Sequence, residues 1–156
     1  MLQRILMPLA LIGLAQAGSS HRSVEPVLTK AVLFTHTNDD DKDHDTCIYV
    51  KATTSDGQTL IAHADKRECS SDASTHYDDN SDHQFALDID ADGLDKSATK
   101  GFNVALSQET HGGAGHDTWK FNARLVLYFS DKSNFTAQID SATMVNNGGH
   151  VEFSQR

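Results

Sequence analysis

Trp119-Lys-Phe-Asn-Ala-Arg-Leu-Val-Leu-Tyr-Phe129 carries apolar residues at every second position. Trp119, Phe121, Ala123, Leu125, Leu127 and Phe129 fall on one face, with Lys120, Asn122 and Arg124 on the other. Successive side chains of an extended chain point to opposite sides, so the run predicts a long strand with one buried face. The same period recurs to either side of it. Residues 27–35 read as a first strand, and Ile48, Val50 and Ala52 alternate with Cys47, Tyr49, Lys51 and Thr53. Leu60, Ala62 and Ala64 continue that alternation beyond the turn signal Ser55-Asp-Gly57. Phe85, Leu87 and Ile89, then Phe102, Val104 and Leu106, then Phe135, Ala137 and Ile139, and lastly Val151 and Phe153 follow the same rule.

About eight short strands separated by turn clusters, with no sustained helical period, predict an all-β sandwich or barrel. One-sided alternation selects an antiparallel sandwich, because the doubly buried strands of parallel sheets read as continuous apolar runs. A three-residue turn with Gly57 left-handed would set Ile48, Val50 and Ala52 opposite Ala64, Ala62 and Leu60. That register brings Cys47 near residue 65, a few residues from Cys69.

The first residues have the features of an export signal. Arg4 is a short basic region, Ile5 to Leu14 an apolar one, and Ala15-Gln-Ala17 a small-residue cleavage site, which makes Gly18 the expected mature start. The apolar run is too short to span a bilayer as a helix. Residues 18–26 read as a flexible polar leader and 27–156 as one domain, and the destination is a secreted or periplasmic one. Cleavage removes Arg4 and takes the formal net charge from −9 to −10. That acidity excludes the basic face a nucleic-acid partner demands. Two cysteines in an exported chain imply one disulfide, Cys47–Cys69.

The chemistry is concentrated in Thr35-His-Thr-Asn-Asp-Asp-Asp-Lys-Asp-His-Asp-Thr46, between two strand-like runs. Asp39, Asp40, Asp41, Asp43 and Asp45 lie within seven residues, directly after Asn38. Carboxylates so close repel one another unless a cation or solvent screens them. Ca²⁺ takes six to eight oxygen ligands of this kind, so the loop is a candidate calcium site; the alternative is a solvated acidic loop. In the Gly-rich stretch His111-Gly-Gly-Ala-Gly-His-Asp117, Asp117 is either an oxygen ligand for the same cation or an ordinary turn residue.

Other motifs say less. Asp88-Ile-Asp-Ala-Asp-Gly93 opens like an EF-hand loop, but Thr99 stands where the bidentate Glu belongs, and the flanking residues alternate as a strand. A strand running into an acidic turn is the preferred reading, with Asp90 or Asp92 as subsidiary contacts at most. The nine histidines bring no H-E-x-x-H motif and no Cys/His pair at ligand spacing. No G-x-S-x-G nucleophile elbow is present. Asn134-Phe-Thr136 fits an N-glycosylation sequon.

Thr37-Asn-Asp-Asp-Asp41 with Asp45-Thr46, then Asp56-Gly57, Phe85-Ala-Leu87 and His116-Asp-Thr-Trp119 resemble, in order, the elements of PLAT (lipoxygenase-homology) domains and related calcium-dependent lipid-binding sandwiches. The likeness covers roughly residues 30–130. It implies an eight-stranded antiparallel sandwich, Ca²⁺ held by loops at one end, and a lipid or protein bound there. Asn38 replaces the small residue usual after the threonine, and the acid loop carries no apolar membrane anchor.

The resulting expectation is a non-catalytic, calcium-binding module for a protein, lipid headgroup or carbohydrate. Its ligands would come from Asn38, Asp39, Asp40, Asp41, Asp43, Asp45 and Asp117. One rival is a secreted metal-dependent hydrolase with His36 or His116 as acid and base. Another is a structural or interaction protein without metal.

Overall fold

A computed structural model of the chain describes residues 24–43, 46–64, 76–91, 93–110, 118–145 and 148–155. Eight strands follow in order: β1 (Leu28–Asp40), β2 (Thr46–Thr53), β3 (Thr59–Ala64), β4 (Asp82–Leu87), β5 (Asn103–Thr110), β6 (Thr118–Phe129), β7 (Asn134–Val145) and β8 (His150–Ser154). They form two four-stranded sheets, ordered β4-β1-β6-β7 and β3-β2-β5-β8, with every pairing antiparallel. The protein is an eight-stranded antiparallel β-sandwich, as the alternating pattern predicted.

The core is the layer between the sheets. The six alternating residues of β6, Trp119 to Phe129, are all buried. From the facing sheet, Ile48, Val50, Ala52, Leu60, Val104 and Leu106 meet them. Taking a Val, Leu, Ile or Phe side chain out of water stabilises the fold by about 1.5–3 kcal/mol. The Trp119 and Phe121 rings stack with centroids 3.9 Å apart. Outside the first sheet, the Arg124 guanidinium covers the Phe34 ring at 4.8 Å.

Three expectations about strands need correction. β1 runs five residues beyond the predicted end at Thr35 and carries Asp39 and Asp40 inside the sheet, because β6 pairs with it as far as Asp40↔Lys120. The β2–β3 register differs by one residue from the predicted one: Tyr49 faces Ala64 and Lys51 faces Ala62. A bulge between Ala52 and Thr53 causes this, and it lets the neighbours Leu60 and Ile61 both be buried. β7 extends well past Ile139 because a second irregularity resets its alternation. Ser141 adopts a positive φ of 56°, after which Ala142 and Met144 rather than odd-numbered residues point inward. The Asn122 side chain accepts the Ser141 backbone N–H at 2.7 Å and holds that kink.

The stretch resembling an EF-hand is not flanked by helices. β4 ends at Leu87, Gly93 takes a positive φ of 72°, and a single 3-10 turn follows at Lys96–Thr99. Among the described residues, no helix is long and apolar enough to cross a membrane.

Candidate functional site

The acid loop leaves the sandwich through an irregularity in β1. Ala31, Leu33, Thr35 and Thr37 point into the core, two residues are inserted in β1 between Thr37 and Asp40, and beyond the end of the strand Lys42 points inward as well. Lys42 is fully buried. Its ammonium donates to the carbonyl oxygens of Thr46 at 2.8 Å and Asp43 at 3.1 Å, and sits 4.5 Å from the centroid of the Tyr77 ring. A buried charge is tolerated only when its protons are taken up, and here carbonyls and a π-face do so. The loop is therefore anchored on a cation of its own.

Tyr77 is the other half of the anchor. The backbones of Lys42 and Tyr77 pair reciprocally, N–H to O, at 3.2 and 3.0 Å. The Tyr77 ring stacks on His83 at 3.7 Å and meets Trp119 edge-on at 6.0 Å. Burial, and next the nearby Lys42 charge, hold the His83 imidazole below its ordinary pKa, outweighing Asp82 and Asp78. Both raise the cost of the imidazolium form.

The structure divides the expected ligands into groups. Asn38 is half-buried, and its amide exchanges hydrogen bonds with that of Asn122 at 3.3–3.4 Å, away from the loop's tip. Asp39 and Asp40 flank Lys120, whose Nζ lies 3.5 Å from Asp39 Oδ1 and 3.4 Å from Asp40 Oδ2. The charges of Asp39 and then Asp40 raise the Lys120 pKa. Asp41 and Asp43 instead converge on His76: one ligand atom from each of the three lies within 4.8 Å of the others. His76 Nε2 is 3.3 Å from Asp41 Oδ2 and 3.2 Å from Asp78 Oδ1.

Asp45 and Asp117 lie outside the described residues, as do His44, Asp92, His111, His116 and Cys69. The strand ends that flank 111–117 are nevertheless at the acid-loop end of the sandwich. Thr110 pairs with Thr46, and Lys120, two residues beyond Thr118, pairs with Asp40. Cys47 is fully buried and no described cysteine is free. His36, a suggested catalytic base, pairs with Asp82 at 2.9 Å on the outer side of the first sheet. Two surface cavities of about 540 and 580 Å³ are lined by β2, β5, β7 and β8, among them Lys51, Asn103, Gln138 and Glu152, and among the described residues no acid-loop residue or histidine borders either.

Sequence reasoning missed His76, Asp78, Lys120 and the buried Lys42. The signal available for Lys42 was a single basic residue inside an aspartate run. For His76 there was none, since a pairing across thirty-odd residues leaves no local pattern.

No protein-family model matches the chain, and no curated protein sequence matches it. Among solved structures it is similar to the alpha toxin of Clostridium absonum, with a TM-score of 0.52 and 16% identity over 88% of this chain and 33% of the toxin chain. This chain thus spans about a third of the toxin's length. At that identity the likeness is one of fold alone, and it agrees with the two-sheet β-sandwich.

Proposed function

We propose that the protein is an exported, non-catalytic β-sandwich binding module that holds a divalent cation, Ca²⁺, in the acid loop. The cation bridges to an anionic group on a protein, lipid headgroup or glycan. The observation that carries this reading is the convergence of the Asp41 and Asp43 carboxylates at the end of the sandwich, on a loop whose base is fixed by Lys42 and Tyr77. Asp39 and Asp40 add oxygen donors once Lys120 swings aside, and Asp45 and Asp117 are the further candidates. An anionic partner would be repelled by so acidic a loop, so a bound cation is what makes the contact attractive. Two features favour a module over a hydrolase: the cavities lie away from the loop, and His36 is engaged with Asp82.

Titration of the mature, metal-free protein with CaCl₂ tests this. Heat of binding and a rise in melting temperature are expected, since a ligand that binds only the folded state must stabilise it. The absence of both responses at millimolar calcium would overturn the reading.

A further inference from the structure

The reciprocal Lys42–Tyr77 pairing is a two-residue antiparallel bridge with both central side chains buried. Side chains alternate along an extended chain, so the residues on either side of the bridge face outward together. Asp41 and Asp43 do so from one segment, and His76 and Asp78 from the other. Antiparallel pairing sets Asp41 opposite Asp78 and Asp43 opposite His76. The four come from segments remote in sequence, and both segments are tied to the core through Lys42 and Tyr77. The group is built into the fold.

Its donor chemistry differs from that of an aspartate cluster. Ca²⁺ is a hard ion served by oxygen, whereas an imidazole nitrogen suits Zn²⁺ and its first-row neighbours. Tetrahedral zinc, with bonds of about 2.0–2.2 Å to nitrogen and oxygen, places its ligand atoms about 3.3–3.5 Å apart. His76 Nε2 lies 3.3 Å from Asp41 Oδ2 and 3.2 Å from Asp78 Oδ1. A charge-assisted N–H···O bond is usually shorter, about 2.7–2.9 Å. The His76–Asp41 separation is close to the edge of a zinc tetrahedron, and the Asp43 carboxylate lies within 4.8 Å of both.

We infer that Asp41, Asp43 and His76 form a site for a borderline divalent metal of the Zn²⁺ class. Asp78 stands beside the imidazole as a further carboxylate. Three protein ligands leave a fourth position open, and that position is where an anionic group of the partner binds. The inference rests on the reading of the acid loop as a divalent-cation site and names a preferred ion for its Asp41–Asp43–His76 end; Ca²⁺ remains the ion tested for the loop as a whole.

The test is calorimetric titration of the metal-free mature protein with ZnCl₂, and separately with CaCl₂, beside His76→Ala, Asp43→Asn and the control His150→Ala. One Zn²⁺ per chain is expected, with affinity reduced at least tenfold in His76→Ala and in Asp43→Asn and unchanged in His150→Ala. Co²⁺ in place of zinc should give the visible absorption of a tetrahedral site, and His76→Ala should abolish it. If His76→Ala does not fold, Asp43→Asn and the Co²⁺ spectrum of the wild type still decide the matter. Zinc affinity equal in wild type, His76→Ala and Asp43→Asn would overturn the inference. Calcium binding without zinc binding would overturn it while leaving the calcium module standing. Zinc binding without a calcium response would do the reverse.

Discussion

The indole nitrogen of Trp119 donates a hydrogen bond to the hydroxyl of Thr37, 3.1 Å away and buried. It joins the start of β6 to β1 just before the acid loop departs. Thr37→Val would leave the indole N–H buried without an acceptor, at a cost of about 1–3 kcal/mol. In denaturant unfolding, Thr37→Val combined with Trp119→Phe should lose less than the sum of the two single changes. Strict additivity would show that the bond contributes nothing.

Lys42 tests whether the loop is anchored from within. Lys42→Met keeps the stem but removes the charge that the Asp43 and Thr46 carbonyls and the Tyr77 ring surround. We expect a loss of about 1–3 kcal/mol, the cost of leaving buried carbonyl oxygens without their donor. Limited proteolysis should then cut first near the acid loop. A variant as stable and as resistant as the wild type would remove the anchor from the account.

Lys120 competes with any cation for Asp39 and Asp40. The pair is solvent-exposed, so Lys120→Ala should hardly change the melting temperature. Calcium affinity, in contrast, should rise about two- to tenfold once the competing ammonium is gone. An unchanged or weaker affinity would exclude Asp39 and Asp40 from the cation site.

His83 makes stability depend on pH. Its folded pKa is depressed below 6.5, first by burial and then by Lys42. On acidification the unfolded chain takes up this proton before the folded one does. The contribution is therefore fully present above pH 6.5 and is lost as pH falls through the folded value. Melting temperature should decline between about pH 7 and pH 5 more steeply in the wild type than in His83→Gln. Parallel curves would rule His83 out as the source.

Cys47 is expected to pair with Cys69, clamping the chain just after the acid loop. The intact protein should be two hydrogens lighter by mass than its reduced form. Reduction should cost about 3 kcal/mol, the usual effect of opening a loop of about twenty residues. Two alkylatable thiols in the native protein would refute the bridge.

Much of the fold was legible in single segments. The alternation from Trp119 to Phe129 predicted the central strand with its buried face correct at every apolar position. What alternation cannot show is where it slips. The irregularities at Ala52–Thr53 and Ser141 insert one residue and the one between Thr37 and Asp40 inserts two, and each is held by pairing with a distant strand or by a side chain such as Asn122. That is why the β2–β3 register and the length of β7 differed from the prediction. The acid loop was legible as a charge cluster, but its division was not. Lys120 on one side and His76 on the other belong to segments far away in sequence.

The sequence by itself determined that this is an all-β, strongly acidic chain whose carboxylates crowd after the first strand, because period-two burial and charge density are local properties. Only the tertiary structure decided what those carboxylates face. Lys42 turns inward beyond the end of β1, where its backbone pairs with Tyr77, and the Tyr77 ring covers it because the segment before β4 returns to that point. That return brings His76 against Asp41 and Asp43 and leaves Asp39 and Asp40 to Lys120. Strand pairing across long loops sets these neighbours, and such pairing is fixed by packing over the whole sandwich rather than by any one stretch of residues.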